Sequence, residues 1–338
     1  MQKRIASIGV IVVGAVMIIS VFTADLFTVA PAFEDLTDGF RDTVMTQESV
    51  DQARADLAGL EAVSVEFETV VAPTLAGALE MDAATFAGFM QSEFPAVAAG
   101  ADALPAITAQ FSDVMNLIES EIDNFNKADE IPTDSLPATT VPWAIAILGV
   151  IAIVIGGFML VGSRSAAITA LVVGLLAVGG TVVFSLVDKS NAADDMNEAF
   201  KPAYTEELVT QSQAALVVMG AMGTEMQTVM VPALAEQQGM TIEQMQGFMA
   251  DTFPATSAVL QEMPAAMERF TGMVTAFDEQ LGNYDTIKNT ALTPVAWTIT
   301  IGGLVMALFG LWVLVARKSD SEQPAKPARK PDMSGAAT

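Results

Sequence analysis

Residues 88–96 read Gly88-Phe89-Met90-Gln91-Ser92-Glu93-Phe94-Pro95-Ala96, and residues 247–255 read Gly247-Phe248-Met249-Ala250-Asp251-Thr252-Phe253-Pro254-Ala255. The two stretches lie 159 residues apart, and the offset carries far beyond them: residues 46–125 laid without a gap on 205–284 give 25 identities in 80 positions. Unrelated chains would share a handful. The prolines keep the same register, Pro73 with Pro232, Pro95 with Pro254 and Pro105 with Pro264. The chain thus reads as a tandem duplication, a feature that must be found before single elements are assigned.

Outside the duplicated stretches lie four uncharged apolar runs, Ile5 to Ala24, Val141 to Val161, Ala166 to Val187 and Val295 to Ala316. Each has about the 20 residues a helix needs to cross a bilayer core. Trp143 and Trp297 near run starts and Trp312 near a run end suit the membrane interface. Basic residues set an orientation: Lys3 and Arg4 precede the first run, Arg164 lies between the second and third, and Arg317 and Lys318 follow the fourth. The positive-inside rule puts these, and both termini, in the cytoplasm. The first run also has the basic start of a signal peptide, but it is long for one and Phe22 is bulky where a cleavage site wants a small residue, which favours a retained anchor.

The expected organisation is therefore a first transmembrane helix over 1–24, an extracytoplasmic repeat over 25–140, a second span over 141–161, a cytoplasmic turn over 162–165, and a third span over 166–187. A second extracytoplasmic repeat over 188–294, a fourth span over 295–316 and an unstructured cytoplasmic tail over 317–338 complete it. Net charge divides with this topology. The two long segments hold 37 acidic and 7 basic residues, and everything else holds 3 and 8, within a chain of net charge −25.

Within each repeat apolar residues recur at spacings of three and four, the mark of helix. Ile107, Phe111, Val114, Ile118, Ile122 and Phe125 form one seam, and Met263, Met267, Phe270, Val274, Phe277, Leu281 and Tyr284 form its counterpart. Leu57, Leu60, Ser64, Phe67 and Val71, with Leu216, Met219, Met222, Met226 and Met230, supply the facing helices. Prolines predict that these outgoing helices end near Ala72 and Val231 and that the returning ones kink or break at Pro105 and Pro264. Between them a short helix is expected from about Asp82 or Thr241, the latter with Gln244 in capping-box position. The fold class is all-α: four transmembrane helices continuing into an extracytoplasmic helical-bundle stalk, built from two parallel repeats.

Composition excludes several activities. With no His and no Cys there is no Ser-His-Asp or Cys-His catalysis, no thiolate or imidazole metal site and no disulfide. The strong acidity argues against nucleic acid as a partner. The spans carry no charge inside them, which argues against an ion path or proton relay. Small residues spaced by four, Ala152/Gly156, Ala170/Gly174 and Gly303/Ala307, fit close packing of spans within the chain, or self-association to a homo-oligomer.

Four features compete as sites. The repeated motif contributes Phe89, Met90, Phe94, Phe248, Met249 and Phe253, either as a fold-back clamp or as a cap touching a partner or lipid. The 20 methionines read as adaptable packing, although thioethers also line grooves for apolar ligands and bind Cu(I). Glu48/Glu207 and Glu66/Glu225 are acids at matched positions with no calcium-loop pattern around them. Glu119, Glu121, Asp123, Asp129 and Glu130 read as a solvated face. The expected function is a non-enzymatic protein without cofactors, sitting in a cytoplasmic membrane, weakly bacterial in its Ala- and Gly-rich composition. Its acidic stalk is expected to bind or scaffold an envelope protein partner. Binding or transfer of a lipid or other hydrophobic ligand between the half-bundles is the alternative, and an extracytoplasmic sensor acting through a partner is a third.

Overall fold

A computed structural model describes residues 2–131 and 136–321, and every element longer than a turn in them is helical. In chain order the helices are α1 (Gln2–Thr23), α2 (Leu26–Arg41), α3 (Gln47–Glu66), α4 (Ala72–Ala78), α5 (Ala83–Glu93), α6 (Pro95–Asp129) and α7 (Thr140–Leu160). There follow α8 (Arg164–Val183), α9 (Leu186–Phe200), α10 (Glu206–Glu225), α11 (Val231–Gln237), α12 (Ile242–Thr252), α13 (Pro254–Ile287) and α14 (Thr293–Ser321). The helix α14 runs past the expected end of the fourth span at 316, and the rest of the tail, from 322, lies outside the described residues. The chain divides into two units, one of residues 1–27, 140–187 and 293–338, the other of 28–139 and 188–292.

In the first unit α1 packs on α7 and α14, and α8 on α14 and α7, closing a four-helix ring. Glycines set the spacing. A Cβ on Gly14 of α1 would collide with the carbonyl oxygen of Gly149 on α7, and one on Gly174 of α8 would collide with that of Gly303 on α14. Ala152, Ala170 and Ala307 are buried beside them, so the stripes of small residues face neighbouring helices of the same chain. The outward faces are aliphatic: Ile8, Val12, Ile19, Ile147, Leu176 and Leu308 are all exposed. Water would be a poor solvent for such a surface, and lipid a good one. Among the described residues, five helical stretches are long and apolar enough to cross a membrane: those centred on α1, α7, α8 and α14, with mean hydropathy of 2.3 to 2.7, and Glu206–Gln237, at 1.4. Gln47–Ala78 with Ala83–Glu93, bent by 91°, makes a sixth if taken as one span.

In the second unit α3, α6, α10 and α13 form a four-helix bundle in which α3 and α10 each touch both α6 and α13. Each outgoing helix thus lies between a returning helix of its own half and one of the other half. The seams read from spacing supply most of its core: Leu57, Leu60, Ile107, Phe111, Ile118 and Phe125 are buried, as are Leu216, Met219, Met222, Phe270, Val274 and Phe277, whereas Phe67, Val114, Ile122, Met267 and Leu281 are half-buried. Phe111 and Phe270 meet across it with ring centres 5.1 Å apart. Element starts recur at the offset of the sequence identity. Those at 47, 72, 83 and 95 return at 206, 231, 242 and 254.

The prolines act differently from expectation. The outgoing helices do not stop at Ala72 and Val231, because Phe67–Val71 and Met226–Met230 are wide π turns that carry the chain onward into α4 and α11. Ala72 N–H donates to Phe67 O and Val231 N–H to Met226 O, five residues back. In an α-helix the ring of Pro73 or Pro232 would press on the carbonyl four residues earlier, and the wider turn makes room for it. Nor do α6 and α13 break at Pro105 and Pro264. Burial of Leu104, Ile107 and Phe111 around Pro105, about 1.5–3 kcal/mol for each side chain, offsets the roughly 3 kcal/mol that an interior proline costs.

The short helices start where capping residues place them. Asp82 accepts from Thr85 N–H at 2.9 Å, and Thr241 and Gln244 exchange both bonds of a capping box. The preceding helices close with the same C-terminal motif: Met81 N–H donates to Ala76 O and Met240 N–H to Ala235 O. This motif needs a left-handed residue, which is Gly239 (φ 65°) in one half and Glu80 (φ 56°) in the other. A side chain at such a position is strained by about 1–2 kcal/mol. Glu80→Gly should therefore raise stability by about 1 kcal/mol and Gly239→Ala lower it by about as much, read by denaturant melts of the full chain in nanodiscs. Equal effects of the same sign would contradict the assignment of this turn.

Candidate functional site

Helices α6 and α13 open on Pro95 and Pro254 after Phe94 and Phe253, whose side chains cannot accept a hydrogen bond. The free N–H groups of a helix start need an acceptor, and a carboxylate is the strongest available. Each is supplied from the opposite half. Glu225 Oε2 accepts from Val97 N–H at 2.7 Å, and Glu66 accepts from Thr256 N–H at 2.7 Å through Oε2 and from Ala255 N–H at 3.2 Å through Oε1. The matched acids thus cap each other's returning helix. Glu48 and Glu207 do not join them: both are exposed and accept from Gln52 and Gln211 on their own helices.

The repeated motif mostly faces inward. Met90, Phe94, Met249 and Phe253 are buried, Phe89 is half-buried and Phe248 is 38% exposed. Phe89 meets Phe94 edge-on at 5.8 Å, and Phe248 meets Phe253 likewise at 5.8 Å. Beyond these pairs the halves diverge. Phe67, Phe86 and Val97 of the first half are matched by Met226, Met245 and Thr256, and Phe67, Phe86 and Met90 line an open groove of about 550 Å³. A second cavity, of about 150 Å³, lies among α4, α11 and α12 and is lined by residues of both halves, among them Leu75, Met226, Met230, Met245 and Met249. The Thr256 hydroxyl is buried and has no hydrogen-bond partner among the described residues.

At the end of this unit where the chain enters and leaves, an aromatic cluster fills the bundle. Tyr204 stacks on Tyr284 at 4.5 Å and meets Phe277 edge-on at 5.0 Å, with Phe40 beside both Tyr204 and Phe277. Tyr204 donates to Phe277 O at 2.5 Å and Tyr284 to Asn197 O at 3.1 Å. Burial first, and nearby carboxylates second, push both phenols well above their ordinary pKa, so they stay protonated donors. The cavity they border with Asn197 is only about 20 Å³, the room one water takes.

The acidic face is tied down at intervals. Arg269 grips Asp56 with two bonds of 2.8 and 2.6 Å, and Arg41 grips Asp129 with two of 2.7 Å. Arg54 pairs with Glu119, and Lys189 with Glu130 at 3.1 Å. Of the acidic run, only Glu121 and Asp123 show no basic partner of this kind among the described residues; Glu121 accepts from Asn124. No three Asp or Glu side chains among the described residues come together as a metal site.

No protein-family model and no curated protein matches the chain. Its functional reading therefore rests on geometry.

Proposed function

We propose that the chain is a four-span, non-enzymatic membrane protein made of two tandem repeats, and that its acidic helical bundle is an extracytoplasmic binding or scaffolding module for envelope components. The filled and cross-tied bundle carries this reading. Its middle holds a cavity of only about 20 Å³ among Phe111, Met115, Phe270 and Met273, and each half caps a helix of the other. Such a body is built to present a surface. What it presents is acid: six basic side chains, Arg41, Arg54, Lys189, Lys201, Arg269 and Lys288, already face carboxylates, and most acids remain over.

Four spans are favoured over five because Glu206–Gln237 carries Glu206, Glu207, Glu225 and Glu236 and packs between α6 and α13. The recurrence of helix starts, π turns and exchanged caps at one offset supports the tandem repeat. Binding of a hydrophobic ligand is the second reading, favoured by the methionine-lined cavity.

A chain without cysteine allows a clean test. Gly88 and Gly247 are exposed with open space around them, so Gly88→Cys and Gly247→Cys should fold normally. In intact cells both should react with an impermeant maleimide carrying a photocrosslinker, and light should then yield a discrete adduct with another envelope component. Protection of either thiol from outside overturns the topology. Labelling at both without any adduct or bound lipid above background overturns the binding role.

A further inference from the structure

We propose that the open groove of the first half binds a small organic cation, an ammonium group carried on a compact apolar body. The proposal rests on the reading of the bundle as a binding module and names one class of ligand for it.

The groove, of about 550 Å³, lies among α4, α5 and the start of α6. Pockets for small molecules span about 300–1,000 Å³. Its accessible walls are apolar and mostly short: Ala72, Pro73, Ala83, Ala87 and Ala98, with Met81. Two carboxylates, Glu68 and Asp102, also line it, both exposed and neither with a partner among the described residues. None of the lining residues is basic, and the sequence holds no Lys or Arg from 55 to 126. The groove therefore supplies no cation of its own.

A backbone carbonyl adds to this demand for a donor. Proline lacks the N–H that would bond the carbonyl four residues earlier, which is Leu260 O for Pro264 and Ala101 O for Pro105. In the second half Gln227 makes good the loss, donating from Nε2 to Leu260 O at 3.0 Å. Glu68 is matched to Gln227 and Ala101 to Leu260, but an ionised carboxylate only accepts, so Glu68 cannot make the corresponding bond. Asp102 likewise stands where the second half has Gln261. Leu260 packs against the cluster of Val231, Ala235 and Met245, whereas Ala101 ends in a methyl on the wall of the open groove. Two carboxylates and a carbonyl without its helical donor thus meet at one apolar groove, where Gln91 is the only side-chain donor among the lining residues. An ammonium group brings three donors and a positive charge, and an apolar body behind it covers the alanine and methionine walls.

The test uses the full chain with ¹³C-methyl methionine in nanodiscs of zwitterionic lipid. It is titrated with benzylammonium and, separately, with benzyl alcohol, which has the same body without the charge, and with magnesium, which has charge without the body. Saturable shifts at Met81 and Met90 are expected with benzylammonium, at least tenfold weaker with benzyl alcohol and absent with magnesium, while Met17 and Met306 in the apolar helices report solution in the bilayer. Glu68→Gln, which installs the residue of the second half, should weaken benzylammonium about tenfold. Glu48→Gln, which neutralises an exposed acid outside the groove, should leave it unchanged. Ala101→Leu should abolish binding by filling the groove, with the Met219 and Met263 signals unmoved as evidence of an intact bundle. Equal weakening by Glu68→Gln and Glu48→Gln would assign the affinity to the acidic surface as a whole and overturn the proposal, as would shifts that persist in Ala101→Leu. No saturable shift with benzylammonium, while the crosslinked adduct to another envelope component still forms, overturns this site and spares the binding role of the bundle; loss of that adduct in Glu68→Gln would then give the groove to a basic side chain of a partner.

Discussion

Glu66→Ala is expected to destabilise the bundle by about 3 kcal/mol, the sum of two charge-assisted hydrogen bonds lost at the start of α13. The carboxylate is half-buried and accepts from Ala255 and Thr256 N–H, and Phe253 leaves those donors no substitute on their own strand of chain. Glu225→Ala removes the single bond to Val97 N–H and should cost about half as much. Glu66→Gln keeps a neutral acceptor in the same place and should fall between wild type and Ala. Urea melts of the full chain, followed by circular dichroism, measure all three. A loss below about 0.5 kcal/mol for Glu66→Ala would mean that solvent satisfies these N–H groups and that the halves are not tied through them.

Gly174→Val should be as damaging, for a reason of shape rather than charge. Its new Cβ would collide with Gly303 O and lie 2.5 Å from Ala307 N, both backbone atoms that cannot rotate aside. The helices α8 and α14 must then separate, and overpacking of this kind costs about 1–3 kcal/mol or more. Gly14→Val strikes the corresponding contact of α1 with Gly149 and should behave alike. Gly157→Val is the control, since nothing lies within 4 Å of a Cβ there. Thermal unfolding in nanodiscs should show two marked drops in midpoint and one near-neutral variant. Equal behaviour of Gly174→Val and Gly157→Val would refute close packing of α8 on α14.

What could be read from the residues followed from periodicity. The three-and-four spacing of Ile107, Phe111, Ile118 and Phe125 names a buried face because a helix allows no other arrangement of them, and all four are buried. The capping box at Thr241 was equally legible, as its two partners sit three residues apart. The prolines misled because a rule about α-helices says nothing of the π turn that accommodates Pro73 and Pro232. Exchanged capping was hidden for a different reason. Sequence marks Glu66 and Glu225 as matched, but only the tertiary fold joins a donor to an acceptor 189 residues away. The cavity of about 150 Å³ was hidden likewise, since it is lined by residues of both halves, Leu75 with Met230 and Met245, that only the fold brings together.

Those exchanged caps also govern the order in which the protein can be completed. As the chain is synthesised, α6 emerges with its first turn waiting for Glu225, 128 residues downstream, and with half of its seam waiting for α10. Glu66 waits longer still, until Thr256 exists. Contacts so distant in sequence close slowly, and a nascent first half exposes Ile107, Phe111 and Ile118 to anything apolar nearby. A ribosome stalled midway would therefore hold a sticky intermediate rather than a finished domain.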